Sequence, residues 1–439
     1  MTWLSQYRDR LRTAEEALRL VRSGTRVYVH PGCATPETLV EALAARAPEL
    51  ENVEVAHMLT LGSAAYAKPG MEGSFRHNGM FLGGNVRGAV AEGRADYIPI
   101  FLSEIEELFT SGAMPLDTVL LTTSPPDAQG YLSLGTGVDA TLTAAECAKH
   151  VIAEVNHQMP RTYGDSFLHV SQVTALVETN RPLFEIPPER GGDWQERIGR
   201  LVASLIPDGA CLQLGIGAIP DAVLECLKDH KDLGIHSEMV SDGVIPLMES
   251  GVINNRRKAE HQHRSLIGFV LGTKKLFDFM NESMLFEMQR TRYVNDPFRI
   301  ARNERMVAVN SAIQVDLTGQ VVSDSIGMKP YSGFGGQVDF VRGAARSKGG
   351  KPVIALQSTA RNGTVSRIVP TLTPGAGVVT SRADVHYVVT EHGIAYLHGK
   401  NLRQRAEALI AIAAPEFRGE LERFAMENHL LEARPALMV

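Results

Sequence analysis

Short runs of apolar residues recur along the 439-residue chain at 26–29, 53–58, 118–122, 150–155, 211–214, 306–309, 352–356 and 385–389. Each is too short for a helix and rich in Val, Ile and Leu, which predicts buried strands. The segments between them carry apolar residues at helical spacing. Strands alternating with helices predict an α/β protein with largely parallel sheets. In such sheets ligands bind beyond the carboxyl ends of the strands, so the loops that follow these runs are where chemistry is expected.

The pattern also repeats. Residues 23–43, SGTRVYVHPGCATPETLVEAL, parallel 208–227, DGACLQLGIGAIPDAVLECL. Aligning Gly24 with Gly209 places Gly32 on Gly217, and one gap then places Pro36 on Pro220 and Glu41 on Glu225. Each copy reads as a turn, a short apolar strand, a Gly/Pro loop and a helix opened by the proline. A second echo follows in the same order: GVD at 137–139 precedes VIA at 151–153, and GQVD at 336–339 precedes VIA at 353–355. Between the halves, TNRPLFEIPPERGGD at 179–193 holds three prolines and a glycine pair, which favours an extended connector. The expected architecture is two similar open α/β domains related by internal duplication, spanning 1–185 and 186–439.

Composition narrows the class of function. A net charge of −6 argues against nucleic acid as a partner. No stretch approaches the ~18 apolar residues of a membrane span, and the charged start MTWLSQYRDR does not read as a signal peptide. A cytoplasmic location is the expectation. Cys33, Cys147, Cys211 and Cys226 form no CxxC pair and read as reduced core residues. No HExxH, GxSxG or P-loop occurs, and no metal site is expected. His57 and His236 lie in apolar surroundings and read as core histidines.

Three loops of the second half carry candidate chemistry. In LGIGAIP at 214–220, glycines after a strand permit positive φ and close ligand approach. The N-H groups of the following helix could hold a phosphate or polarise a thioester carbonyl, although a plain tight turn has the same pattern. In LGIHSEMVSDGV at 233–244, Glu238 ends a short apolar run, suiting a positioned nucleophile or base, while a solvated loop glutamate remains open. The first half carries His57-Met58 where this half has Glu238-Met239, so only one half keeps the carboxylate. In KPYSGFGGQVD at 329–339, small residues leave room for a bulky ligand, or make a flexible surface loop.

Taken together, HSEMVSDG at 236–243, QLGIGAIP at 213–220, SGFGGQVDF at 332–340 and VVTEHGI at 388–394 resemble the acetyl-CoA hydrolase/transferase family. So do EGRADY at 92–97, FLSE at 101–104, SPPD at 124–127 and MPRT at 159–162, and the resemblance runs essentially end to end. It is nearest to 4-hydroxybutyrate and butyryl CoA-transferases. The resemblance implies the CoA-transferase fold and an acyl-CoA:carboxylate CoA-transferase acting on short-chain acids. Glu238 matches the glutamate that forms a glutamyl-CoA thioester. Gly215, Ile216, Gly217, Ala218 and Ile219 match the CoA-binding loop, and Gly335 and Gly336 a glycine-rich segment lining the CoA site. Coenzyme A and acyl-CoA are then substrates, with small carboxylic acids, and no cofactor is permanently bound. A homodimer is expected. An acyl-CoA hydrolase using the same glutamate, and a CoA-binding regulatory module, are the alternatives. Ala128-Gln129 replaces Lys-His, and Pro330-Tyr331 precedes Ser332 where the family often has Gln; both pairs are expected where the acyl group is sensed.

Overall fold

The computed structural model describes residues 2–189 and 191–432. Its two large sheets repeat one topology. In the first half, β1 (Arg26–Val29), β2 (Val53–His57), β3 (Phe75–Gly79), β4 (Ala95–Tyr97), β5 (Thr118–Thr123), β6 (His150–Asn156) and β7 (Ala175–Thr179) form a parallel sheet in the order β4-β3-β2-β1-β5-β6-β7. The second half adds β8 (Cys211–Leu214), β9 (Gly234–Val240), β10 (Ser265–Val270), β11 (Phe286–Met288), β12 (Met306–Ser311), β13 (Lys351–Ala355), β14 (Tyr387–Thr390) and β15 (Gly393–Tyr396). Their order is β11-β10-β9-β8-β12-β13-β14-β15, parallel except for the last pair. The order of the first seven strands is the same in both halves, so the duplication read from 23–43 and 208–227 extends through each sheet.

The central strands form where every side chain can be apolar. All six residues of β5 (TVLLTT) and of β10 (SLIGFV) are buried, as a strand covered on both faces requires. One continuous apolar core contains Tyr28, Val119 and Leu121 from the first half and Leu212, Ile235 and Val307 from the second. The connector after β7 runs without regular structure as far as it is described; Arg190 lies outside the described residues. Helix Asp193–Leu205 follows.

Each half also reaches into the other. The loop before α1 (Thr141–Cys147) sends the N-H groups of Val138 and Asp139 to the Gly268 carbonyl on β10, at 2.9 and 3.2 Å. After α2 (Ala218–Glu225), the equivalent loop before α3 (Gln337–Arg346) does the converse. There the Ser332 carbonyl accepts from Leu82 N-H at 2.9 Å and the Gly335 carbonyl from Leu102 N-H at 3.0 Å. These reciprocal contacts close the carboxyl ends of β2 and β9 against each other. No helix among the described residues is long and apolar enough to cross a membrane.

Candidate active site

Glu238 lies inside β9 rather than at its end, because the strand continues through Met239 and Val240. The pairing register corrects the correspondence between the halves. Val27 pairs with Val55 and Leu212 with Ile235, and the repeat aligns Val27 with Leu212. Counting three residues on, Glu238 corresponds to Met58, and His57 corresponds to Ser237. His57 turns instead to the opposite face of its sheet, where it is fully buried beside His77.

The Glu238 side chain is only 7% exposed. Its Oε2 accepts from Asn295 Nδ2 at 3.1 Å, and the backbone of Gly336 lies against the same carboxylate. Burial pushes the carboxyl up to about 7, against the opposing effect of Asn295 and the Gly336 backbone. Gly336 is required by space and not by its backbone angles. A Cβ there would stand 1.9 Å from Glu238 Oε2 and 2.2 Å from Asn295 Nδ2. Gly335, with φ +54°, supplies the turn that brings Gly336 in and is itself backed by the Phe81 ring.

A second buried carboxyl stands behind the first. Asn295 Nδ2 reaches Asp339 Oδ2 at 3.4 Å, and Asp339 accepts from Ser103 Oγ at 2.8 Å and Ser103 N-H at 3.2 Å. Asp339 is pushed up to about 7, chiefly by burial, and the nearby Glu238 charge acts in the same direction. The segment carrying Asn295 is held from the first half. Glu106 accepts from the Arg292 N-H at 2.8 Å and from Thr291 Oγ1 at 3.2 Å. The sequence reading passed over Asn295, Ser103 as a partner, and Glu106. The one available signal was FLSE at 101–104, which the resemblance had already marked.

Glu238 opens into a cavity of about 100 Å³. Its first-half wall is Met58, Met80, Phe81, Ile100, Leu102 and Ile105, with Leu59 beside them. Ile216, Met239, Phe269, Leu271 and Gly335 complete it from the second half. Among the described residues, Glu238 is the one ionisable side chain on this wall.

Of the remaining loop residues named from the sequence, Ile216 alone lines the cavity. Gly217 caps α2 with φ +101°, a conformation that strongly favours glycine. The helix begins at Ala218, two residues before the expected Pro220. The proline is tolerated because first-turn N-H groups have no partner within the helix. Gly217 and Ala218 therefore present backbone at this end, whereas the Ile219 side chain is buried in the core. Gly215 packs near the Pro220 ring, 3.9 Å from where its Cβ would be.

Neither departure from the family pattern lines the cavity. The Ala128 carbonyl accepts from Trp3 Nε1 at 2.9 Å, and its turn is held by the Asp127–Arg161 ion pair at 2.6 Å. Tyr331 is exposed and lies under the Arg87 guanidinium, 3.8 Å from ring centroid to Cζ. The pairs expected to sense the acyl group therefore lie apart from the cavity beside Glu238. No group of three or more His, Cys, Asp or Glu suited to a metal occurs among the described residues.

Comparison with known proteins adds independent findings. Residues 1–186 match the acetyl-CoA hydrolase/transferase N-terminal domain and 272–425 the corresponding C-terminal domain. A 4-hydroxybutyrate coenzyme A transferase of Clostridium kluyveri is 52% identical, over 96% of this chain and 98% of that protein. A succinyl-CoA:acetate/propanoyl-CoA:succinate CoA transferase of Fasciola hepatica is 48% identical, over 94% of this chain and 87% of its own. The crystal structure of RipA from Yersinia pestis superposes with a TM-score of 0.94 at 36% identity, covering 98% of this chain and all of that one.

Proposed function

The chain belongs to the acetyl-CoA hydrolase/transferase family, and from that membership we propose that it is an acyl-CoA:carboxylate CoA-transferase of short-chain acids with Glu238 as the covalent catalyst. The observation that carries the assignment is a buried carboxylate, raised to about 7, facing a cavity whose other walls are apolar. A carboxylate poorly solvated in this way is more basic and more nucleophilic than one in water.

The chemistry follows from that group. A Glu238 oxygen attacks the acyl-CoA carbonyl, forming a C-O bond, and CoA leaves as its thiolate. The product is a mixed anhydride. The thiolate then attacks the Glu238 carbonyl carbon and the original acid leaves as a carboxylate, so CoA is held as a glutamyl thioester. An incoming carboxylate attacks the same carbon and expels the thiolate. Attack of the thiolate on the new acyl carbonyl releases acyl-CoA and restores Glu238. Thioester energy is kept throughout. The oxyanion forms on the acyl oxygen when an acyl carbonyl is attacked and on a Glu238 oxygen when the Glu238 carbonyl is attacked, and the backbone N-H of Gly336, which lies against this carboxylate, is the candidate donor. Such a donor lowers the barrier by roughly 3–4 kcal/mol. The free N-H groups at the start of α2 are the candidates for the opposite side.

The apolar wall also favours transfer over hydrolysis, because it offers an attacking water no hydrogen-bond partner apart from Glu238. Incubation with acetyl-CoA and butyrate tests the assignment. Butyryl-CoA and acetate should form in equal amounts, and Glu238→Gln should reduce the rate by several orders of magnitude. Release of free CoA at one rate with or without butyrate would make the enzyme a hydrolase. Binding of CoA with no turnover in either assay would make the protein a CoA-binding module. The same proposal includes a twofold homodimer. A single ~48 kDa species in sedimentation would exclude it.

A further inference from the structure

The wall of the cavity also specifies the acid. Resting on the CoA-transferase reading, we propose that the acid activated at Glu238 is a saturated, unsubstituted aliphatic monocarboxylate of about four carbons. A chain ending in a hydroxyl or a second carboxylate is discriminated against.

Three features of the cavity lead there. The first is position. In the anhydride the acyl carbonyl is bonded to a Glu238 oxygen, so the rest of the chain is carried into the space that Glu238 faces. The second is size. A dry apolar cavity of about 150 Å³ holds a six-carbon benzene ring, so one of about 100 Å³ takes about three to four carbons beyond the carboxyl carbon. This fits the propyl chain of butyrate. The third is chemistry. Met80, Phe81, Ile100, Leu102 and Ile105 present no donor, acceptor or charge, and neither do Phe269 and Leu271 opposite them. A terminal hydroxyl or carboxylate would leave water for a site that returns none of its hydrogen bonds. A pocket evolved for such an acid would hold a partner for that terminal group, because an unpaired polar group is what such sites use to discriminate.

The expected discrimination can be stated as ratios. Each methylene buried in the cavity should improve kcat/KM by about fourfold, from acetate through propionate to butyrate. Beyond about five carbons the trend should reverse as the chain overfills the space. A hydroxyl at the end of the chain should lower kcat/KM by ~10- to 100-fold relative to butyrate. A second carboxylate should cost on the order of a thousandfold, since no cation on the wall offsets its desolvation.

The experiment is a panel of acceptor acids with acetyl-CoA as donor: propionate, butyrate, hexanoate, 4-hydroxybutyrate and succinate, each ranked by kcat/KM. The panel is repeated for Ile100→Ala. Ile100 is only partly buried, so its truncation spares the core. The wild type should prefer butyrate over 4-hydroxybutyrate and succinate by the ratios above. The variant should raise the hexanoate-to-butyrate ratio by about tenfold. If 4-hydroxybutyrate or succinate equals or exceeds butyrate, the inference is wrong while the transferase assignment stands. An unchanged hexanoate-to-butyrate ratio in Ile100→Ala likewise removes the cavity as the acyl site. If no acid accepts CoA, both readings fall.

Discussion

Glu238→Gln should stabilise the protein above neutral pH while abolishing transfer. The carboxyl is raised from 4.5 to about 7 by burial. A folded protein that holds this proton more tightly than the unfolded chain loses stability as pH rises from about 4.5 to beyond 7. Below about pH 4.5 both states are protonated and the group is neutral in its effect. At pH 8 both are ionised, and the shift of about 2.5 units amounts to about 3 kcal/mol. Gln keeps the size and one acceptor for Asn295 Nδ2 but cannot ionise, so it escapes this cost. Its own packing and hydrogen bonds add an offset that does not vary with pH. The variant-minus-wild-type stability should therefore grow by about 3 kcal/mol between pH 4 and pH 8. For a chain of 439 residues this is roughly a 3 °C gain in Tm. Thermal unfolding of both proteins across that range, followed by circular dichroism, measures it. A difference that stays constant with pH, or that shrinks as pH rises, would refute the claim that Glu238 is held with a raised pKa by burial.

Other outcomes follow from the same geometry. Because attack needs the ionised form, kcat/KM should rise with pH along an acid limb centred near 7, not near the usual carboxylate value of 4.5. A limb at or below pH 5 would contradict the burial of the nucleophile. Gly336→Ala should lower kcat by at least about 100-fold, because its Cβ would overlap Glu238 Oε2 at 1.9 Å and push the carboxylate aside. CoA binding by calorimetry should be far less affected, and a near-normal kcat would show that this approach has no catalytic role. Glu238→Asp withdraws the carboxylate by one methylene and should lose transfer nearly as completely as Glu238→Gln in the same coupled assay.

The sequence showed the central strands and the duplication because buried parallel strands are apolar throughout. Arg26–Val29 and Cys211–Leu214 were found to the residue. β3 and β4 were missed for the converse reason, whereas β10 was passed over although all six of its residues are buried. β3 reads FRHNG and β4 ADY, which lack apolar continuity: β3 alternates buried and partly buried positions, and β4, at the sheet edge, exposes Asp96. Glu238 was distinguished by family resemblance, since a strand position alone does not separate a buried nucleophile from a surface glutamate. Asn295 lies 57 residues further along, on a segment whose residues 291–292 are held by Glu106 and Asp139 from the other half. No local pattern encodes a contact of that kind. The cavity beside Glu238 was hidden for another reason. Met80, Leu102 and Ile105 look like ordinary core residues, and their lining role arises only when two loops from different halves close over β9.

The duplication explains why the site is one-sided. Asp139 and Asp339 occupy matching loops, and burial is the leading cause that raises each to about 7. Their surroundings have nonetheless diverged. Asp339 shares Asn295 with Glu238, whereas Asp139 accepts from its own neighbour Thr141, with Oγ1 at 2.7 Å. The decisive difference is at the strand position itself, where the first half has Met58 and the second Glu238. Both side chains line the same cavity. Two carboxylates facing that small apolar space would each raise the other's pKa, leaving one or both protonated and non-nucleophilic at neutral pH. Methionine at 58 removes the second charge and supplies apolar wall. A single asymmetric position thus keeps Glu238 ionisable near neutral pH and adds apolar surface to the cavity it faces.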